Sequence, residues 1–63
     1  MSMPAYRITF THSAMPPDYI GAAIKFAHTE DEAAKLLGKY DKKAKTILDG
    51  RGNLLSNVQI NED

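Results

Sequence analysis

The segment Ala22–Gly38, AAIKFAHTEDEAAKLLG, constrains the fold more than any other part of the chain, because a period-two apolar pattern runs directly into a helix start. Ala22, Ile24 and Phe26 alternate with Ala23, Lys25 and Ala27, as in a strand with one apolar face. At Thr29 the period changes. The Thr29 hydroxyl can accept a bond from the Glu32 amide while the Glu32 carboxylate reaches back, a reciprocal capping box. Glu30, Asp31 and Glu32 fill the first helical turn, where the helix dipole favours anions, and Asp31 and Lys35 support one another at i,i+4.

Upstream, Tyr6, Ile8 and Phe10 alternate with Arg7, Thr9 and Thr11 in a second strand, after a lead-in of Met1 to Pro4. Pro16, Pro17, Asp18 and Gly21 break any ladder between His12 and Gly21, so this stretch connects the two strands. It carries Met15, Tyr19 and Ile20, three apolar side chains that either tuck under the sheet edge or form a contact surface. A connection centred near residue 17 places His12 near Ala22 and His28 near Tyr6, with the apolar sets of both strands on one face.

Downstream, Ala33, Leu36, Leu37 and Tyr40 form an apolar helix face. Gly38 weakens the helix by about 1 kcal/mol, and Thr46 with Ile47 suits a strand, so the helix is expected to stop near Gly38 to Tyr40, with a strand over Lys43 to Leu48. The alternative is a longer helix, because Ala44, Ile47 and Leu48 continue the helical spacing. Asp49, Gly50, Arg51, Gly52 and Asn53 read as a hairpin loop leading into a last strand in which Leu54, Ser56, Val58 and Ile60 alternate. The expected fold is α+β: an antiparallel sheet of three or four strands with one helix packed on one face, in the order β-β-α-β-β, or β-β-long α-β if the helix runs on.

Residues 1–63 read as one domain with no repeat or linker. A chain this short removes only about 60% of its unfolded surface from water, so its core is thin and a homodimer is a natural further source of burial. Eight basic residues balance eight acidic ones, so no net self-repulsion opposes collapse. Zero cysteine leaves no disulfide framework and fits a reducing, cytoplasmic setting, and no apolar run reaches membrane-spanning length.

The polar residues assemble no recognisable chemistry. In the expected hairpin His12 and His28 lie at opposite ends, about 20 Å apart at ~3.3 Å per strand residue, so they share no metal. Ser13 beside His12 is only a sequence neighbour, and extended neighbours point to opposite sides. DGRGN, residues 49–53, lacks the acidic spacing of a calcium loop and the length of a phosphate loop. No enzyme, metal or cofactor is therefore expected. Lys39, Lys42, Lys43, Lys45 and Arg51 outnumber Asp41 and Asp49 in segment 39–51, five charges against two, which offers a basic stripe for a nucleic-acid backbone. Tyr6, Phe10 and Phe26 fall on the expected core face, where they cannot stack on bases.

The leading expectation is a small non-enzymatic protein acting by contact with a protein partner. Its size is that of accessory or inhibitory factors of phage and other mobile elements, an expectation from length alone. Leu54 and Leu55 are adjacent, so one of them points away from the helix-covered face. The expected contact residues are Met15, Tyr19, Ile20 and Leu55, with nucleic-acid binding through Lys39, Lys42, Lys43, Lys45 and Arg51 as the alternative.

Overall fold

The computed structural model describes residues 3–63; Met1 and Ser2 of the expected lead-in lie outside them. The elements run β1 (Ala5–His12), β2 (Gly21–Phe26), α1 (Glu30–Lys35), β3 (Gly38–Asp41), β4 (Thr46–Asp49) and β5 (Leu54–Glu62). All five strands form one antiparallel sheet in the spatial order β2-β1-β5-β4-β3. The expected sheet of three or four strands under a packed helix is thus corrected to a five-stranded sheet with one short helix, in the chain order β-β-α-β-β-β. The long-helix alternative is overturned as well.

The helix starts where the sequence places it. Thr29 is extended and its hydroxyl accepts the Glu32 amide at 3.1 Å. It stops earlier than expected, because the Leu36 amide bonds to both the Glu32 and Ala33 carbonyls at 3.2 Å and the Leu37 amide turns to Ala34 at 3.0 Å. Such tightening closes a last turn. Only Ala33 and Ala34 of the helix are buried, Leu37 packs at the core margin, and Leu36, expected inside, stands in water.

Tyr40 belongs to β3, a strand the helical spacing concealed. The Asp41 carboxylate accepts the Lys43 and Ala44 amides at 3.0 and 3.1 Å, and Lys45 turns back with φ of +56°. That local turn chemistry closes a hairpin with β4 and outweighs the apolar periodicity. Gly38 serves this hairpin rather than a helix cap: a Cβ there would strike the Leu48 backbone. The expected loop at residues 49–53 is present, with the Asp49 carboxylate accepting the Arg51 and Asn53 amides at 2.9 and 2.8 Å.

β1 and β2 pair with Tyr6 opposite Lys25, Ile8 opposite Ala23 and Phe10 opposite Gly21. Opposed residues share a face, so Tyr6, Ile8 and Phe10 lie with Gly21, Ala23 and Lys25, while Ile24 and Phe26 lie with Arg7 on the other side. The expected register, which set both apolar rows on one face, is therefore corrected by an odd number of residues. Gly21 explains the choice, since a Cβ at that position would overlap the Phe10 ring lying across it. His28 consequently falls beyond the strand and not opposite Tyr6, and His12 lies opposite Leu55 of β5.

The core comprises Tyr6, Ile8, Ala27, Ala33, Ala34, Ile47, Leu55 and Val58, with Phe10, Leu37, Tyr40 and Ile60 packed against it. In β5 the pairing with β1 advances from Thr9↔Gln59 to Thr11↔Ser56, which inserts one extra residue and makes a bulge at Asn57, φ +52°. The bulge shifts the phase of the strand, so Leu55 faces the helix together with Val58 and Ile60. Leu55 is therefore buried, and the exposed member of the pair is Leu54.

Candidate functional site

Three surface features are left after the core is formed. The first is the end of the sheet built by the β1–β2 connection. Met15, Tyr19 and Ile20 stand out at 44%, 39% and 64% exposure, so the expected alternative of a tucked loop does not occur. The loop is fixed to the sheet: the Ser13 amide donates to the Leu54 carbonyl at 3.0 Å, and the Leu54 amide donates to the Ser13 hydroxyl at 3.0 Å. Inside the loop the Ala14 amide donates to His12 Nδ1 at 3.1 Å, and Tyr19 bonds back to the Pro16 carbonyl at 3.0 Å. These bonds set exposed Leu54 at the base of the same loop. Leu55, the expected fourth contact residue, is buried in the core and leaves this surface; Leu54 takes its place.

The second feature is the sheet face opposite α1. Ile24, Phe26, Leu48 and Leu54 are exposed on it, with Phe26 at 62%. Between these apolar pairs lie Arg7, Thr9, Gln59 and Asn61 in the middle strands. Arg7 Nε sits 3.6 Å from Asp63, both exposed. Phe26 is the one aromatic ring on this side of the paired strands.

The third feature is a fork between β5 and the β3–β4 hairpin. β4 pairs with β5 only at Ile47↔Leu55 and Leu48↔Leu54. A last bond runs from the Val58 amide to the Lys45 carbonyl at 3.0 Å, and beyond it the strands part. Lys45 and Asn57, the two non-glycine residues with left-handed backbone among the described residues, flank this point. The Asn57 amide group donates to the Thr11 hydroxyl at 3.3 Å, which holds the bulge in place. A cleft of about 460 Å³ opens in the fork, lined by Tyr40, Val58 and Ile60, by the polar Gln59 and Asn61, and by the charged Glu30, Lys42 and Lys45. The Tyr40 phenol is pushed above its ordinary range by burial first, and then by the carboxylates of Asp31, Glu30 and Asp41. Lys42 Nζ lies 3.9 Å from Asp31.

The basic residues of segment 39–51 do not line up. Lys42, Lys43 and Lys45 occupy the β3–β4 turn, Arg51 sits in the β4–β5 turn at the other end of β4, and Lys39 is opposite Leu48 on the helix-free face. His12 and Ser13 are each bonded to backbone amides, Ala14 and Leu54 respectively. Among the described residues no three His, Cys, Asp or Glu side chains come together as a metal set. No helix among them is long and apolar enough to cross a membrane.

Sequence reasoning missed Leu54, Ile24, Phe26 and the fork. One signal was available. Asn57, a poor strand former, breaks the alternation between Leu55 and Val58, which is where a bulge belongs. Comparison with known proteins adds nothing to this geometry, since no family model, curated protein or solved structure matches the chain.

Proposed function

We propose that this protein is a small non-enzymatic binding module that acts by contact with a protein partner through Met15, Tyr19, Ile20 and Leu54. The observation that carries the reading is the concentration of these exposed apolar side chains at one end of the sheet, on a loop whose backbone is tied to β5. Scattered single apolar residues are normal on a surface, whereas a cluster on a fixed backbone marks a contact site. A tied loop also loses little conformational freedom on binding, which favours affinity. Tyr19 supplies a large ring with a polar tip, the type of side chain that anchors interfaces. Zero cysteine suits such a module to a reducing cytoplasm, and its size suits an accessory or inhibitory role.

The test is affinity capture from a candidate host lysate with the wild-type chain and the Tyr19→Ala/Ile20→Asp variant, after circular dichroism shows both folded. A partner recovered by the wild type and lost by the variant supports the surface. Equal recovery of every partner by both chains refutes it. Recovery that vanishes at high salt and on nuclease treatment assigns the contact to nucleic acid instead.

A further inference from the structure

The loop end does not account for the fork, which has the features of a separate binding slot. The Asp63 amide bonds to the Ala5 carbonyl at 2.8 Å, and Tyr6 lies opposite Glu62. In an antiparallel ladder the residues bonded to one neighbour alternate with residues whose groups point to the other side. Gln59, Asn61 and Asp63 therefore bond to β1, and Val58, Ile60 and Glu62 turn their backbone groups away from it. The Val58 amide is taken by Lys45. Among the described residues no further strand covers Ile60 and Glu62, because β4 pairs no farther than Leu55.

We infer that this half-edge of β5 receives the C-terminal end of a partner protein, added as a short antiparallel strand. Four observations select that occupant. Alternating free N–H and C=O groups along Ile60 and Glu62 are complemented by another extended backbone. A cleft of about 460 Å³ lies in front of them, and Tyr40, Val58 and Ile60 supply the apolar part of its lining. The slot is closed at one end by the Val58–Lys45 bond, so a chain running antiparallel to β5 pairs no farther than that point. Lys42 and Lys45 stand on the cleft rim, Lys45 at this closed end, while Glu62 marks the open end and Glu30 lies on the rim. A strand that ends in its carboxylate beside Lys45 and carries a cation two residues earlier, beside Glu62, matches this charge order.

The place opposite Val58 is held by Lys45, so pairing the terminal residue with Ile60 and the third-last with Glu62 puts these two side chains on the cleft side. The first meets the apolar part of the cleft and the second meets the acidic end. The slot is independent of the loop surface, so either assignment can fail without the other.

The probe is acetyl-Ser-Thr-Lys-Thr-Val with a free C-terminal carboxylate, titrated into ¹⁵N-labelled full-length protein, with the C-terminal amide of the same peptide as its partner probe. The acid form is expected to shift the Ile60 and Glu62 amide resonances and slow their hydrogen exchange. The amide form is expected to bind about three- to fivefold more weakly, the scale of one exposed ion pair. Lys45→Asn keeps a residue that tolerates left-handed backbone, and is expected to weaken the acid form to the level of the amide form. Unchanged Ile60 and Glu62 resonances at millimolar peptide overturn the slot, as do shifts confined to Ile24 and Phe26 on the β2 edge. Equal affinity of acid and amide forms overturns the carboxylate assignment.

Discussion

Replacing Ile8 and Phe26 one at a time distinguishes the observed register of β1 and β2 from the one that the alternation alone implies. Ile8 is fully buried, with 0% of its surface exposed, among core side chains from both ends of the chain. Truncating such a residue to alanine removes its transfer energy and leaves a cavity, together about 3 kcal/mol. Phe26 is 62% exposed, so little more than a third of its surface is covered. Scaled from about 2.5 kcal/mol for a fully buried Phe, Phe26→Ala costs about 1 kcal/mol. A domain of 63 residues has roughly 3–9 kcal/mol of total stability, so Ile8→Val, at about 1 kcal/mol, is the safer companion if Ile8→Ala fails to fold. The assay is urea denaturation followed by far-ultraviolet circular dichroism, with the midpoint shift converted through a common slope. Larger loss in Ile8→Ala than in Phe26→Ala, by about 2 kcal/mol, supports the register. Equal losses would refute it, because they would place Phe26 in the core.

Two further predictions concern β5 and the loop before it. Leu55→Asp unfolds the domain by burying an unpaired charge, whereas Leu54→Asp leaves the circular dichroism spectrum and thermal midpoint nearly unchanged; the reverse result would contradict the bulge at Asn57. The Asp49 carboxyl is held below its ordinary value of 3.8, first by the Asn53 amide; burial opposes this as the next effect, and the Arg51 amide, the Asn53 side chain and the charge of His12 add to the lowering. A depressed folded-state value means that its ionised form stabilises the fold above the ordinary carboxylate value, and that this contribution is lost as pH falls below it. Thermal midpoints measured from pH 6 to pH 2 should thus fall less steeply in Asp49→Asn than in the wild type, and parallel curves would show that the turn bonds carry no such coupling.

The legible parts of the fold were those fixed by contiguous residues. Thr29 and Glu32 set the helix start, Tyr6, Ile8 and Phe10 set the inner face of β1, and Asp49 to Asn53 set a turn. What the sequence concealed depends on partners distant in the chain. Ile24 and Phe26 alternate correctly, but which face they take is decided by the Phe10 ring meeting Gly21 across the hairpin. Leu36, Tyr40, Ile47 and Leu48 share helical spacing because a tight hairpin with two-residue alternation can imitate it over a short span; the Asp41 turn bonds break the tie. At the loop end, Met15, Tyr19 and Ile20 were visible as apolar residues outside any element, while Leu54 and Leu55 could be separated only through the bulge. The fork was invisible because an open edge is a property of what fails to pair.

Among the described residues, β2 on its outer side and the second half of β5 on the side away from β1 have no strand neighbour, and residue-resolved amide hydrogen exchange tests this most directly. Slow exchange is predicted at Ala23, Lys25, Gln59 and Asn61, whose amides bond to β1, and fast exchange at Ala22, Ile24, Phe26, Ile60 and Glu62. Uniform protection along Gln59 to Glu62 in the free protein, at a concentration where its mass is that of a monomer, would contradict it.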